Sequence, residues 1–152
     1  PGLDVAYVPI GLGSGACAAI AAKQALGHAV RIVGVVSRHA PTYADSLAAG
    51  RVVEAPVSTR IADGMAVRRA DPDALAVLAA GLDHVVQVGD DEVEAAMRAL
   101  YADTHNLAEG AGAAAFAAAW QERAALRGRR VGVVLTGANV DAGAFAGVLL
   151  ES

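Results

Sequence analysis

Cysteine and lysine are nearly missing from this chain of 152 residues. The single cysteine, Cys17, excludes an internal disulfide and fits a reducing compartment. It reads as a small buried residue. The single lysine, Lys23, falls on a predicted helix facing solvent, so the side chain that forms Schiff bases has almost no representation. Charged residues make up only 18%, the net charge is −4, and the arginines are scattered. That excludes the clustered basic surface of a nucleic-acid-binding protein. No apolar run reaches the roughly 18–20 residues of a membrane span, and no basic-then-apolar signal segment opens the chain. The expectation is a cytoplasmic protein without nucleic-acid or membrane partners. No repeat, linker or composition break divides the sequence, so residues 1–152 read as one α/β domain.

What the sequence does have is apolar content, 55% of it, much of it alanine, which is enough for a sizeable core. Near the start stands Val8-Pro9-Ile10-Gly11-Leu12-Gly13-Ser14-Gly15-Ala16. Asp4 to Val8 reads as a strand, and Ala16 to Leu26 reads as a helix. A strand, a glycine turn and a helix start together make an anion site. The loop N–H groups and the positive end of the helix dipole point at one spot, and glycines let a phosphate approach the backbone. Ser14 can add a hydroxyl donor and cap the helix. Gly11, Gly13 and Ala16 also satisfy the dinucleotide pattern Gly-x-Gly-x-x-Ala, so the loop indicates a phosphate without saying which.

Further along, Ala29 to Val36 reads as a parallel strand covered on both faces. A dinucleotide fold wants an acid near its end; Ser37 and Arg38 stand there, and Arg38 can accept the extra phosphate of NADP. Thr42 to Ala49 is a short helix ended by Gly50, Arg51 to Glu54 a short strand, and Ser58 to Val67 an ordered loop. Asp71-Pro72 opens a helix that runs to Gly81, and His84 to Val88 is a third strand, with His84 a surface residue at its start. Asp90, Asp91 and Glu92 crowd the next helix start, where the dipole favours negative charge, and read as structural. That helix ends near His105-Asn106. Glu109-Gly110-Ala111-Gly112 opens an alanine-rich helix running to about Leu126, with Gly128 stopping it. Val131 to Leu135 is a strand, and Thr136-Gly137-Ala138-Asn139 turns the chain toward a last helix. Alternating strands and helices imply a mainly parallel twisted sheet with helices on both faces, and ligands beyond the carboxyl ends of its strands.

Four segments, VPIGLGSG, TRIADGMAV, NLAEGAGAAA and LTGANVD, resemble in order and spacing the C-terminal portion of threonine/serine dehydratases, fold-type II pyridoxal-phosphate enzymes of the tryptophan synthase β superfamily. VPIGLGSG is also similar to the variant in dehydratase-like proteins of hydroxyectoine use. The resemblance implies pyridoxal 5'-phosphate as cofactor, an amino-acid substrate, and a homo-oligomer, dimer or tetramer, of the full-length protein. It implies that Gly11, Leu12, Gly13, Ser14 and Gly15 cradle the cofactor phosphate and that Thr136 hydrogen-bonds the pyridine nitrogen. Gly64 then borders the reactive side, Glu109 lines the ring pocket, and Asp63 is structural. The implied reaction is β-elimination from threonine, serine or 3-hydroxyaspartate. The α-proton and β-hydroxyl leave, and the aminoacrylate hydrolyses to a 2-oxo acid and ammonia.

Two departures accompany the resemblance. The family's Schiff-base lysine, in a Ser-x-Lys segment, and an asparagine at the cofactor's phenolic oxygen have no counterpart here, so no catalytic residue is expected in this chain, which reads as a fragment inactive alone. Some relatives bind a divalent metal through acids just after the second strand, where Val36 and Thr42 stand, and no metal is expected there. Two rival readings remain: an NADP-binding Rossmann domain, and a non-catalytic binding or assembly remnant.

Overall fold

The central strands form because they are apolar on both faces. In the computed structural model, which describes residues 2–150, β1 (Val5–Pro9) is buried at every position and β2 (Arg31–Ser37) at every position but its first. Pro1, Glu151 and Ser152, which the 1–152 domain includes, lie outside the described residues. Both strands pair in parallel, Val5 opposite Arg31 through Pro9 opposite Val35. β3 (His84–Val88) joins the far side of β2, and β4 (Val131–Val133) joins β1, giving the order β3-β2-β1-β4.

Side chains alternate across this sheet with period two. Val5, Tyr7, Val33, Val35, Val86 and Val88 point to one core, with α4 (Asp90–Thr104) and α5 (Gly110–Gln121) over it. Ala6, Val8, Ile10, Ile32 and Val36 point to the other, under α1 (Ser14–Ala25) and α3 (Pro72–Gly81). The chain moves outward from β1 to β3 with α1, α2 (Thr42–Ala49) and α3 in the crossovers, then returns past β1 to β4 with α4 and α5. Right-handed crossovers require the helices to change face when that direction reverses. The reversal leaves a crevice between β1 and β4, where ligands bind in open parallel sheets. α6 (Ala142–Leu150) closes the described chain and packs on α4.

Several boundaries differ from the sequence expectation. Arg51 to Glu54 forms no strand; Glu54 makes a single antiparallel bridge with Arg69, because no neighbouring strand lies beside it to extend the ladder. α5 stops at Gln121 instead of Leu126. Beyond it the backbone tightens into i→i+3 turns, with Ala125 N–H donating to the Glu122 carbonyl at 2.8 Å, and Glu122 turns its carboxylate to the sheet, where it accepts the Tyr7 hydroxyl at 2.5 Å and lies 3.0 Å from His84 Nε2. Burial, and then Glu122 itself, push the Tyr7 phenol well above its ordinary value, so the hydroxyl stays a donor. His84, expected at the surface, is half-buried between Glu122 and Asp83, whose Oδ2 is 2.8 Å from Nδ1. α4 ends at Thr104, and His105 takes the left-handed cap with φ 56°.

Leu78 of α3 is fully buried between α1 and the sheet. Leu78→Ala in the complete gene product should lower unfolding free energy by about 2–5 kcal/mol, read by urea denaturation, because the cavity cannot fully collapse.

Candidate functional site

At the carboxyl end of β1 the chain turns through Ile10–Gly13 into α1. Gly13 is the helix N-cap and holds φ 100°, a left-handed conformation that favours glycine. Space makes the same demand: a Cβ there would lie 2.9 Å from the Ala74 Cβ and 3.2 Å from the Tyr43 hydroxyl. Ser14 is therefore the first helical residue and does not cap, contrary to expectation; the left-handed turn at Gly13 starts the helix one residue too early. No side chain caps α1, and its first helical hydrogen bond runs from Cys17 N–H to the Gly13 carbonyl. The N–H groups of Ser14, Gly15 and Ala16 are thus without intrahelical partners, and the dipole makes that end positive. Ser14 and Gly15 are exposed, and a Cβ on Gly15 would meet only open space, so there is room for an anion before the first turn.

The loop is held from behind by Tyr43 of α2. Its buried hydroxyl donates to the Leu12 carbonyl at 2.6 Å and accepts the Asp71 N–H at 3.1 Å, while the Leu12 side chain projects outward, 68% exposed. Asp71 in turn caps α3 by accepting the Ala74 N–H at 2.8 Å.

Glycine backbones bring the other segments to this loop. A Cβ on Gly11 would lie 2.6 Å from the Gly64 carbonyl oxygen, so loop and Ser58–Val67 segment touch main chain to main chain. A Cβ on Gly64 would lie 2.9 Å from the Ala111 Cβ and 4.0 Å from Glu109 Oε1. Gly110 sits against the Ile61 carbonyl, and Gly112 against the Gly137 carbonyl, each too closely for any side chain. Gly137 also lies under the Glu109 carboxylate and accepts the Glu109 N–H at 3.1 Å, which sets Thr136 beside the start of α5. Gly11, Gly64, Glu109 and Gly137 form an unbroken line of contacts across the β1/β4 crevice. Thr136 is exposed there, and Glu109 is half-buried with no capping hydrogen bond to its own helix.

The segment carrying Gly64 is tied at both ends. Asp90 accepts the Thr59 hydroxyl at 2.7 Å and the Arg60 N–H at 2.8 Å, and the Thr42 hydroxyl donates to the Val67 carbonyl at 2.5 Å. Between these ties runs a 3-10 turn, Asp63–Met65, in which Asp63 Oδ1 accepts the Gly64 N–H at 3.0 Å. Val36 is buried in the core and the Thr42 hydroxyl is committed to Val67.

Other candidates lie apart or are engaged. Arg38 pairs with Glu92 Oε2 at 3.1 Å. Cys17 is half-buried instead of buried: it sits at the margin of the α1–α3 contact, where its thiol reaches the Ala74 carbonyl at 3.8 Å. Burial, and then Asp71, push that thiol up, away from nucleophile character. Lys23 stands in the last turn of α1, nine residues beyond Ser14 and so about 14 Å along the axis. Tyr43, Thr59 and Asp90 are the contributors that sequence reading missed. Tyr43 passes as an apolar helix position, and Asp90 hides in a run of three acids.

Residues 1–137 match the family described as "Pyridoxal-phosphate dependent enzyme". The L-threonine ammonia-lyase of Geobacter sulfurreducens is 40% identical over 142 residues, covering 91% of this chain and 35% of that protein. A phenylserine dehydratase of Ralstonia pickettii is 34% identical over 145 residues, covering 95% and 44%. Among solved structures, processed threonine deaminase isoform 2 from Solanum lycopersicum superposes with a TM-score of 0.90 at 25% identity, covering 99% of this chain and 45% of that one. Maize serine racemase gives 0.86 at 28%, covering 97% and 46%. The chain spans less than half the length of each of these relatives.

Tyr43→Phe tests how the loop is held. Removing the hydroxyl strands the Leu12 carbonyl and the Asp71 N–H, so the complete gene product should lose about 1–3 kcal/mol in denaturant titration. Amide exchange should rise across residues 11–15 and not in β2.

Proposed function

The chain belongs to the pyridoxal-phosphate-dependent enzyme family, and from that we propose that it is the cofactor-binding C-terminal part of a lyase that dehydrates and deaminates hydroxy amino acids such as threonine or serine. The observation that carries this reading is the meeting of four distant segments at the open start of α1, in the β1/β4 crevice. The names of the relatives, L-threonine ammonia-lyase and putative threonine dehydratase at 40% and 37% identity, favour this chemistry over a dinucleotide site. So does the engagement of Arg38 with Glu92.

The residues fit pyridoxal 5'-phosphate. The N–H groups of Ser14 and Gly15, with the dipole of α1, hold the phosphate, and Gly11, Leu12 and Gly13 shape the turn around it. Thr136, exposed beside Gly137, would offer its hydroxyl to the pyridine nitrogen, Gly64 would border the reactive side, and Glu109, which lies over Gly137, would wall the ring pocket. Bound there, the cofactor supplies the electron sink for elimination, while the protein orients it. The Schiff-base lysine belongs to a part of the complete protein outside this sequence, because Lys23 stands at the far end of α1 from the loop. The complete protein is a cytoplasmic homo-oligomer, dimer or tetramer. No helix among the described residues is long and apolar enough to cross a membrane.

The test is to incubate the complete gene product with pyridoxal phosphate and L-threonine or L-serine and to measure 2-oxo acid and ammonia. Equimolar release supports the reading; saturable NADP binding that Arg38→Glu abolishes, without keto-acid formation, overturns it. On this chain alone, borohydride reduction with the cofactor should leave Lys23 unlabelled by mass analysis.

Reaction course supplies a further prediction. A neutral hydroxyl such as that of Thr136 would not hold the pyridine nitrogen protonated as a carboxylate would, so Thr136 would favour loss of the β-leaving group over proton return to the cofactor. Thr136→Asp should lower 2-oxo acid relative to pyridoxamine phosphate, whereas Thr136→Ser should change little. An unaltered ratio in Thr136→Asp with cofactor bound would remove Thr136 from that role.

A further inference from the structure

Asp90 is 4% exposed, the only charged residue of the buried interior among the described residues. Its neighbours are bound less tightly to that interior: Asp91, its side chain 95% exposed, makes only a surface ion pair, Oδ1 3.7 Å from Arg60 Nη2, and Glu92 accepts the Gly89 N–H at 2.7 Å and pairs with Arg38. Asp90 points instead to a segment thirty residues upstream. Oδ1 accepts the Thr59 hydroxyl at 2.7 Å, and Oδ2 accepts the Arg60 N–H at 2.8 Å, with Arg60 Nε 3.6 Å from the same oxygen. Thr59 Oγ1 accepts the Ala62 N–H at 3.1 Å, and the Ala62 carbonyl accepts Met65 N–H at 3.0 Å. Each link hands its geometry to the next, and the last sets the 3-10 turn that contains Gly64.

We propose that Asp90 is a positioning residue of the site, holding Thr59 and the Arg60 N–H so that the 61–66 turn lays Gly64 against Gly11 and beside Glu109. The proposal rests on the reading of this crevice as the cofactor site. The carboxylate sits in the first turn of α4, where the helix dipole favours negative charge, so the loop is anchored to a fixed point of the scaffold. Asp90 touches neither Gly64 nor the phosphate loop; it acts through Thr59 and the turn. The phosphate loop has its own support in Tyr43. Loss of Asp90 therefore disturbs the Gly64 segment and its contact with Gly11, while residues 12–15 keep their own tie to Tyr43.

The experiment uses the complete gene product carrying Asp90→Asn or Thr59→Val, with the exposed neighbour Asp91→Asn as control. In cofactor-free protein, amide exchange across residues 58–66 should rise by about tenfold or more in both test variants, with residues 12–15 unchanged. With saturating pyridoxal phosphate, the visible circular dichroism per bound cofactor, which reports how the ring sits, should fall by roughly half or more. Asp91→Asn should match wild type in both. A lowered melting temperature with exchange across 58–66 and dichroism per bound cofactor as in wild type shows a merely structural Asp90 and overturns the proposal. If Asp90→Asn does not fold, Thr59→Val carries the same test, since it replaces with a methyl group the hydroxyl that links Asp90 to the Ala62 N–H. Wild-type protein that takes up no pyridoxal phosphate, whatever the exchange data, overturns the cofactor reading first and the positioning role with it.

Discussion

The contact of Gly11 with the Gly64 carbonyl is the constraint on which the site depends. The Gly64 carbonyl comes within van der Waals distance only because Gly11 carries no side chain there, and the same condition recurs where Gly110 meets the Ile61 carbonyl and Gly112 meets the Gly137 carbonyl. Polar loops at strand ends would ordinarily keep their distance behind side chains and water. Here the absent Cβ atoms let four loops close into one wall, whose polar groups include the N–H groups at the start of α1, the exposed Ser14 and Thr136, and the half-buried Glu109. A wall built of main chain loses little conformational freedom when a ligand arrives, which is the condition for a preorganised anion site.

Topology decides where that wall stands. Reversal of the chain between β3 and β4 opens the crevice beside β1, and the loops after β1 and β4 border it. α5 connects the crevice to the opposite pole of the sheet. Its N-terminus is packed against Ile61 and Gly137, and at its C-terminus Glu122 is held by Tyr7 and His84. With its twelve residues rising about 18 Å, the helix is pinned at both ends and buried along its alanines, so it transmits little play to Glu109.

The parts legible in the sequence were those governed by local rules. Apolar runs announced β1 and β2, the HVVQV stretch announced β3, Gly50 and Asp71-Pro72 marked the end of α2 and the start of α3, and the glycine-rich stretch marked the turn into α1. What escaped was set by partners far away in the chain. Nothing near Glu122 says that its carboxylate meets the sheet; its partner there is Tyr7, 115 positions earlier. Arg51 to Glu54 has strand composition but no neighbour to pair with. Among Asp90, Asp91 and Glu92 the local pattern is the same helix-start charge, and only packing picks Asp90 to face Thr59. Ser14 was expected to cap because its side chain suits capping, yet the left-handed turn at Gly13 moved it inside the helix and left its hydroxyl free. The gathering of the four motifs was foreseen through resemblance; the glycine contacts give its physical cause.

The most direct measurement is a crystal structure of the complete gene product grown with pyridoxal phosphate. The account predicts the phosphate within about 3 Å of the Ser14 and Gly15 N–H groups, and the pyridine nitrogen at a similar distance from the Thr136 hydroxyl. It also predicts the Gly64 carbonyl still in contact with Gly11. A cofactor bound with its phosphate elsewhere, or a Gly64 segment drawn away from Gly11 to admit the ring, would contradict it.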